Sequence, residues 1–82
     1  MITLYSKSNC PFCVRAKTYL ENNNISFEVV DIEQNIHAKD FIISEGHRTV
    51  PQLYVKDKLL VEGGYTGLVK LSKQQILERM GT

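Results

Sequence analysis

The chain has 82 residues, 43% of them hydrophobic and 23% charged, with a formal net charge of +1. That length predicts one domain over 1–82, with a small core that suffices for independent folding. The near-neutral balance gives no basis for a broad nucleic-acid or membrane surface. No apolar run approaches the ~20 residues that span a bilayer, and no basic segment leads into an apolar one as in a secretory signal.

Ile2-Thr3-Leu4-Tyr5 reads as a buried strand, followed by the polar loop Ser6-Lys7-Ser8-Asn9. From Pro11 to about Asn23 the pattern turns helical, with Cys13, Ala16 and Leu20 on the inner face. Pro11 suits a first helical turn, where its missing N–H costs nothing. Asn22-Asn23-Asn24 ends that helix, because Asn tolerates left-handed geometry. Phe27 to Ile32 is β-branched and partly alternating, hence a second strand.

Gln34 to Glu45 predicts a second helix with Ala38, Phe41, Ile42 and Ile43 on its apolar side and Gly46 at its close. Val50 to Val55 predicts a third strand, and Leu59 to Glu62 a fourth, joined as a hairpin through Lys56-Asp57-Lys58. Those lysines suit a solvated edge that discourages strand pairing. Gly63-Gly64 is a sharp break. Thr66 to Met80 is helical, with a capping box at Ser72 and Gln75 that favours a break there over one continuous helix. The opening strand–helix–strand unit requires a parallel pair with a right-handed crossover, and the late hairpin requires an antiparallel one. A four-stranded mixed α/β sheet with helices on both faces satisfies both.

Cys10-Pro11-Phe12-Cys13 holds the only two cysteines. Two cysteines cannot staple a disulfide-dense secreted scaffold, nor supply four sulfurs to a metal within one chain. Redox cycling is the leading reading, a metal shared between chains the lesser one, and a reducing cytoplasm the natural compartment. Cys10 would precede the first helical turn, where unpaired N–H groups favour its thiolate; Cys13 would lie one turn in, facing the core. Cys10 is therefore the expected nucleophile and Cys13 the resolving thiol. Lys7 and Arg15 could add positive potential.

Thr49-Val50-Pro51 is the second signal. A cis bond before Pro51 would present the Val50 backbone to an extended peptide, whereas a trans proline would simply start an edge strand; the residues fit both equally. Gly63-Gly64-Tyr65-Thr66 is the third, either a close-approach site for a carboxylate or an ordinary turn with Thr66 as N-cap. Arg48 could face the same cleft as Cys10. His37 and His47 read as surface residues, and Tyr5, Tyr19 and Tyr54 as core or boundary packing.

Together, Cys10-Pro11-Phe12-Cys13, Thr49-Val50-Pro51-Gln52 and Gly63-Gly64 before a final helix resemble a dithiol glutaredoxin over essentially the whole chain. The resemblance implies a thioredoxin fold of sheet order 2-1-3-4, a cis Pro51 and glutathione as co-substrate, with no metal. It implies that Cys10 attacks the glutathionyl sulfur of a mixed disulfide and that Cys13 resolves protein disulfides. Lys7 would attract a glutathione carboxylate. Phe12 replaces the more usual tyrosine, losing its hydroxyl. Val50 would give the backbone pairing to the cysteinyl part, with Thr49 and Pro51 beside it in the glutathione site, and Gly64, Tyr65 and Thr66 would hold the γ-glutamyl end.

Many glutaredoxins carry an acidic pair where this chain reads Thr66-Gly67. The γ-glutamyl ammonium then loses a charged partner, whose hydrogen bond contributes about 1.5–3 kcal/mol in favourable sites. The implied partners are disulfide-containing or glutathionylated proteins, ribonucleotide reductase among them, with the chain a monomer. Two other readings stay open: a glutaredoxin-like redoxin reduced by thioredoxin reductase, and a dimer sharing a [2Fe–2S] cluster through Cys10 and glutathione.

Overall fold

The computed structural model describes residues 1–81; Thr82, the last residue of the expected domain, lies outside them. The chain forms β1 (Ile2–Ser6), α1 (Pro11–Asn22), β2 (Phe27–Asp31), α2 (Ile36–Ser44), β3 (Gln52–Val55), β4 (Lys58–Leu59), α3 (Gly64–Leu68) and α4 (Lys73–Arg79). The sheet order is β2-β1-β3-β4, a thioredoxin fold as expected. β1 runs parallel to β2 and antiparallel to β3, pairing Leu4 with Val29 on one side and with Leu53 on the other.

The alternation along β1 divides the interior in two. Ile2 and Leu4 face Ala16, Leu20, Leu53, Leu68 and Ile76, all fully buried, so α1, α3 and α4 cover that side. Tyr5 points the other way, into a ring cluster with Phe41 of α2 and Tyr54 of β3 at centroid distances of 5.0–5.7 Å. α2 therefore covers the second face.

Several element boundaries depart from the sequence reading. α2 is shorter than Gln34–Glu45 because the Asn35 side chain caps it, accepting the Ala38 N–H at 3.1 Å. Ile43 is not on its inner side but 59% exposed, since Ala38 and Ile42 take the buried positions. β3 begins at Gln52 rather than Val50, because Pro51 has no N–H to give a ladder; its bond to Val50 is cis, as the resemblance implies. β4 ends at Leu59 rather than Glu62: Leu60 makes one more bond to Leu53, at 2.8 Å, and then buries its side chain in the core.

The tail divides as its capping box requires. Ser72 accepts the Gln75 N–H at 3.2 Å while Gln75 accepts the Ser72 N–H at 2.8 Å. Ahead of it, α3 starts at Gly64, with Gly63 and not Thr66 as N-cap.

His47 is not a plain surface residue. Its Nε2 lies 2.7 Å from the buried Tyr54 hydroxyl, which donates to Glu45 at 3.2 Å. A hydroxyl has one proton, so His47 must be the donor in the first of these bonds. Burial above all, then the bond to and charge of Glu45 and the nearby Tyr5, push the Tyr54 hydroxyl up to about 12.

Two predictions follow from this packing. A native pKa raised from 10.0 to about 12 gives stability that is full below pH 10 and lost as pH climbs toward 12, because only the unfolded chain then releases the proton. In urea melts the unsubstituted chain should lose stability relative to Tyr54→Phe across that window; a pH-independent difference between them would contradict the assignment. The second concerns Gly64, at φ +57, where an added Cβ would stand 2.6 Å from the Pro51 carbonyl oxygen. Gly64→Ala should cost about 2–4 kcal/mol of unfolding free energy, from left-handed strain plus overpacking. Gly46→Ala, at φ +86 with nothing within 4 Å, should cost only the strain, about 1–2 kcal/mol.

Candidate active site

β1 ends at Ser6 and hands the chain to a short polar loop that delivers Cys10 to the start of α1. Cys10 is extended (φ −121°, ψ 95°), Pro11 opens the helix, and the Cys10 sulfur is the N-cap acceptor, receiving the Cys13 N–H at 3.2 Å. Cys13, one turn in, is 1% exposed. The two cysteines are disulfide-bonded, their Cα atoms 5.2 Å apart. On reduction the same helix-end N–H faces the Cys10 sulfur and favours its thiolate, while Cys13 stays screened beneath it.

Two partners fix the loop and the strap that pass this sulfur. Ser8 gives both its N–H (3.0 Å) and its hydroxyl (2.7 Å) to Glu33, just after β2, and these bonds hold the Glu33 carboxyl below the usual carboxylate range. Across the sulfur, the Val50 carbonyl oxygen lies 3.7 Å from Cys10 Sγ. A disulfide sulfur carries no proton, so this is a contact; a thiol there could donate to it. The strap carrying Val50 is held from below, where the buried Gln52 amide donates to the Thr49 carbonyl at 3.0 Å.

Seven residues singled out from the sequence converge on one cleft. Phe12, Thr49, Val50, Pro51, Gly64, Tyr65 and Thr66, with Gly63, line a hollow of about 230 Å³. The Phe12 and Tyr65 rings form one wall, centroids 5.8 Å apart. The Arg15 guanidinium sits 5.3 Å from the Phe12 ring centre, so Arg15 also braces that wall. Lys7 falls elsewhere: it lines an adjoining groove of about 200 Å³ with Lys39, Ile43, His47 and Arg48. The two hollows share Thr49 and Val50.

Thr66 and Gly67 look different in three dimensions than in sequence. The Thr66 hydroxyl donates to the Gly63 carbonyl at 2.8 Å, so its proton is already engaged within the turn. At Gly67 an added Cβ would collide with the Glu62 carbonyl oxygen, which leaves no room for a side chain. Sequence reasoning missed this, as it missed the Ser8–Glu33 tie, whose partners are 25 residues apart. Among the described residues no group of three or more His, Cys, Asp or Glu is placed to hold a metal ion, and no helix is long and apolar enough to cross a membrane.

Comparison with known proteins gives the family and agrees with the fold. The family model for glutaredoxin matches residues 2–60. Glutaredoxin 1 of Rickettsia conorii is 32% identical over 82 residues, covering 96% of this chain and 78% of that protein. The structure is similar to that of the glutaredoxin-like NrdH-redoxin of Escherichia coli, with a TM-score of 0.63 at 26% identity over 65% of this chain and 70% of the other. It shares its fold with a buckwheat glutaredoxin solved with glutathione, at a TM-score of 0.76 and 18% identity over 98% of this chain and 76% of the other. With Cys10 and Cys13 as its redox pair, the chain belongs to the glutaredoxin family of thiol–disulfide oxidoreductases.

Proposed function

We propose that this chain uses glutathione to reduce glutathione mixed disulfides and protein disulfides. The observation that carries the reading is the cleft in which Phe12, the Thr49–Pro51 strap and the Gly63–Thr66 turn meet, with the Val50 carbonyl oxygen 3.7 Å from Cys10 Sγ. An extended tripeptide laid there has its cysteinyl part at the Val50 backbone. Its γ-glutamyl carboxylate reaches the N–H groups that open α3, and its glycyl carboxylate reaches Lys7 in the adjoining groove. α3 has only five residues, so individual N–H groups matter more than a summed dipole.

In the glutathione cycle the Cys10 thiolate attacks the glutathionyl sulfur of the mixed disulfide. The substrate leaves as a thiolate and takes up a proton. A second glutathione thiolate then attacks the Cys10-bound glutathionyl sulfur, giving glutathione disulfide and restoring Cys10. With a protein disulfide, Cys10 forms the mixed disulfide and Cys13, once deprotonated, displaces the substrate. The Cys10–Cys13 disulfide that results is returned to the dithiol by two glutathiones. Ribonucleotide reductase and glutathionylated proteins fit as substrates, with the chain acting as a cytoplasmic monomer.

A second reading, reduction by thioredoxin reductase, draws on the likeness to NrdH-redoxin, whose activity profile is described as thioredoxin-like, and on the absence of an acidic side chain at Thr66 and Gly67. The two readings separate in a coupled assay of a glutathione–small thiol mixed disulfide, with glutathione reductase and NADPH or with thioredoxin reductase and NADPH. Turnover with glutathione is expected, abolished by Cys10→Ser. Cys13→Ser should keep that activity and lose protein-disulfide reduction. Lys7→Gln should raise the KM for glutathione about two- to fivefold, as an exposed ion pair contributes ~0.5–1 kcal/mol. Turnover with thioredoxin reductase alone would replace the first reading by the second.

A further inference from the structure

The groove on the Lys7 side holds more than glutathione can use. Glutathione carries no apolar side chain, and at that end it presents a single carboxylate. Yet the groove is lined by Ile32, Ile42 and Ile43 and ringed by three cations, Lys7, Lys39 and Arg48. Ile43 is 59% exposed, so its side chain offers apolar surface at the rim of this groove. Glu33 feels the charge of Lys7 and Lys39, while its Oε1 is bonded to Ser8. The groove also begins at Thr49 and Val50, beside the reacting sulfur, so whatever occupies it is continuous with the substrate cysteine.

We propose that this groove binds the polypeptide flanking the reactive cysteine of a protein disulfide substrate, and that it selects a segment with an apolar side chain followed by acidic residues. The apolar side chain packs on Ile32 and Ile43, and the carboxylates pair with Lys39 and Arg48. The proposal rests on the reading of Cys10 as the attacking sulfur, but not on glutathione as the electron source. The reaction is two successive exchanges. The Cys10 thiolate attacks the substrate disulfide, Cys13 loses its proton and displaces the substrate, and Cys10–Cys13 closes as the peptide leaves with both its sulfurs reduced. The two electrons come from the dithiol.

The test is single-turnover oxidation of the reduced chain, without glutathione, quenched with acid and read by mass spectrometry. Three disulfides are compared: a two-cysteine peptide followed by one apolar and two acidic residues, the same peptide with two lysines in place of the acids, and the small neutral hydroxyethyl disulfide. The acidic peptide should react about tenfold faster than the lysine peptide, and raised salt should shrink the ratio. In a Lys39→Glu/Ile43→Asp variant the ratio should fall to near one or invert, with hydroxyethyl disulfide unchanged within about twofold. Equal rates for the two peptides in the unsubstituted chain would overturn the proposal, as would a variant that slows all three substrates alike. Failure of the reduced chain to react with any of them would overturn the reading of Cys10, and this proposal with it.

Discussion

At the head of α1 a backbone N–H points at a sulfur: the amide of Cys13 meets Cys10 Sγ at 3.2 Å. Helices begin with N–H groups that lack an intrahelical partner, and most chains satisfy one of them with a serine, threonine or aspartate oxygen. Here a cysteine occupies that cap, so the bond that satisfies the helix end also steadies negative charge on that sulfur once it is reduced. The rest of the fold keeps that sulfur placed and reachable. β1 lies at the centre of the sheet and sets the loop's origin, the Ser8–Glu33 bonds tie the loop to the segment after β2, and Pro11 opens the helix without wasting a donor. Cys13 sits below, buried with Ala16 and Leu20 on the same helix face.

What surrounds the sulfur is set by two close approaches. Gly64 lets the turn before α3 come down on the Pro51 carbonyl, which closes one cleft around Phe12 and Tyr65. Gly67 lets α3 lie against the Glu62 carbonyl, which removes the space in which an acidic side chain would stand. The absence of a carboxylate at that position is thus bound up with how tightly α3 packs. On the other flank the strap is supported by Gln52 and by the His47–Tyr54–Glu45 chain, and the opening beside it is cationic and apolar. The two flanks of the Cys10 sulfur differ in charge, cationic on one side and uncharged on the other.

Much of this was legible in the residues because it rests on local rules. The apolar strand before Cys10, the proline at the first helical turn, the Ser72–Gln75 capping box and the paired glycines each have a physical meaning within a few positions, and each appears where expected. Element ends were harder. Asn35 as a cap shortens α2, and the path of Leu60 into the core shortens β4; both depend on competition between a local bond and a tertiary one. Least legible were contacts joining distant positions. Nothing in the sequence pairs Ser8 with Glu33, directs Tyr54 to His47, or brings Lys39 and Ile43 into one groove with Lys7. Ile43 was expected inside because its type favours burial; its position on α2 points it outward, to the rim of that groove.

The central claim is that Cys10, and not Cys13, carries the accessible thiolate. The direct measurement is to reduce the chain fully, expose it at pH 6.5 to less than one equivalent of iodoacetamide, and map the label by mass spectrometry. Labelling should fall almost wholly on Cys10. Equal labelling of the two cysteines, or preferential labelling of Cys13, would contradict the assignment of the capped sulfur as nucleophile.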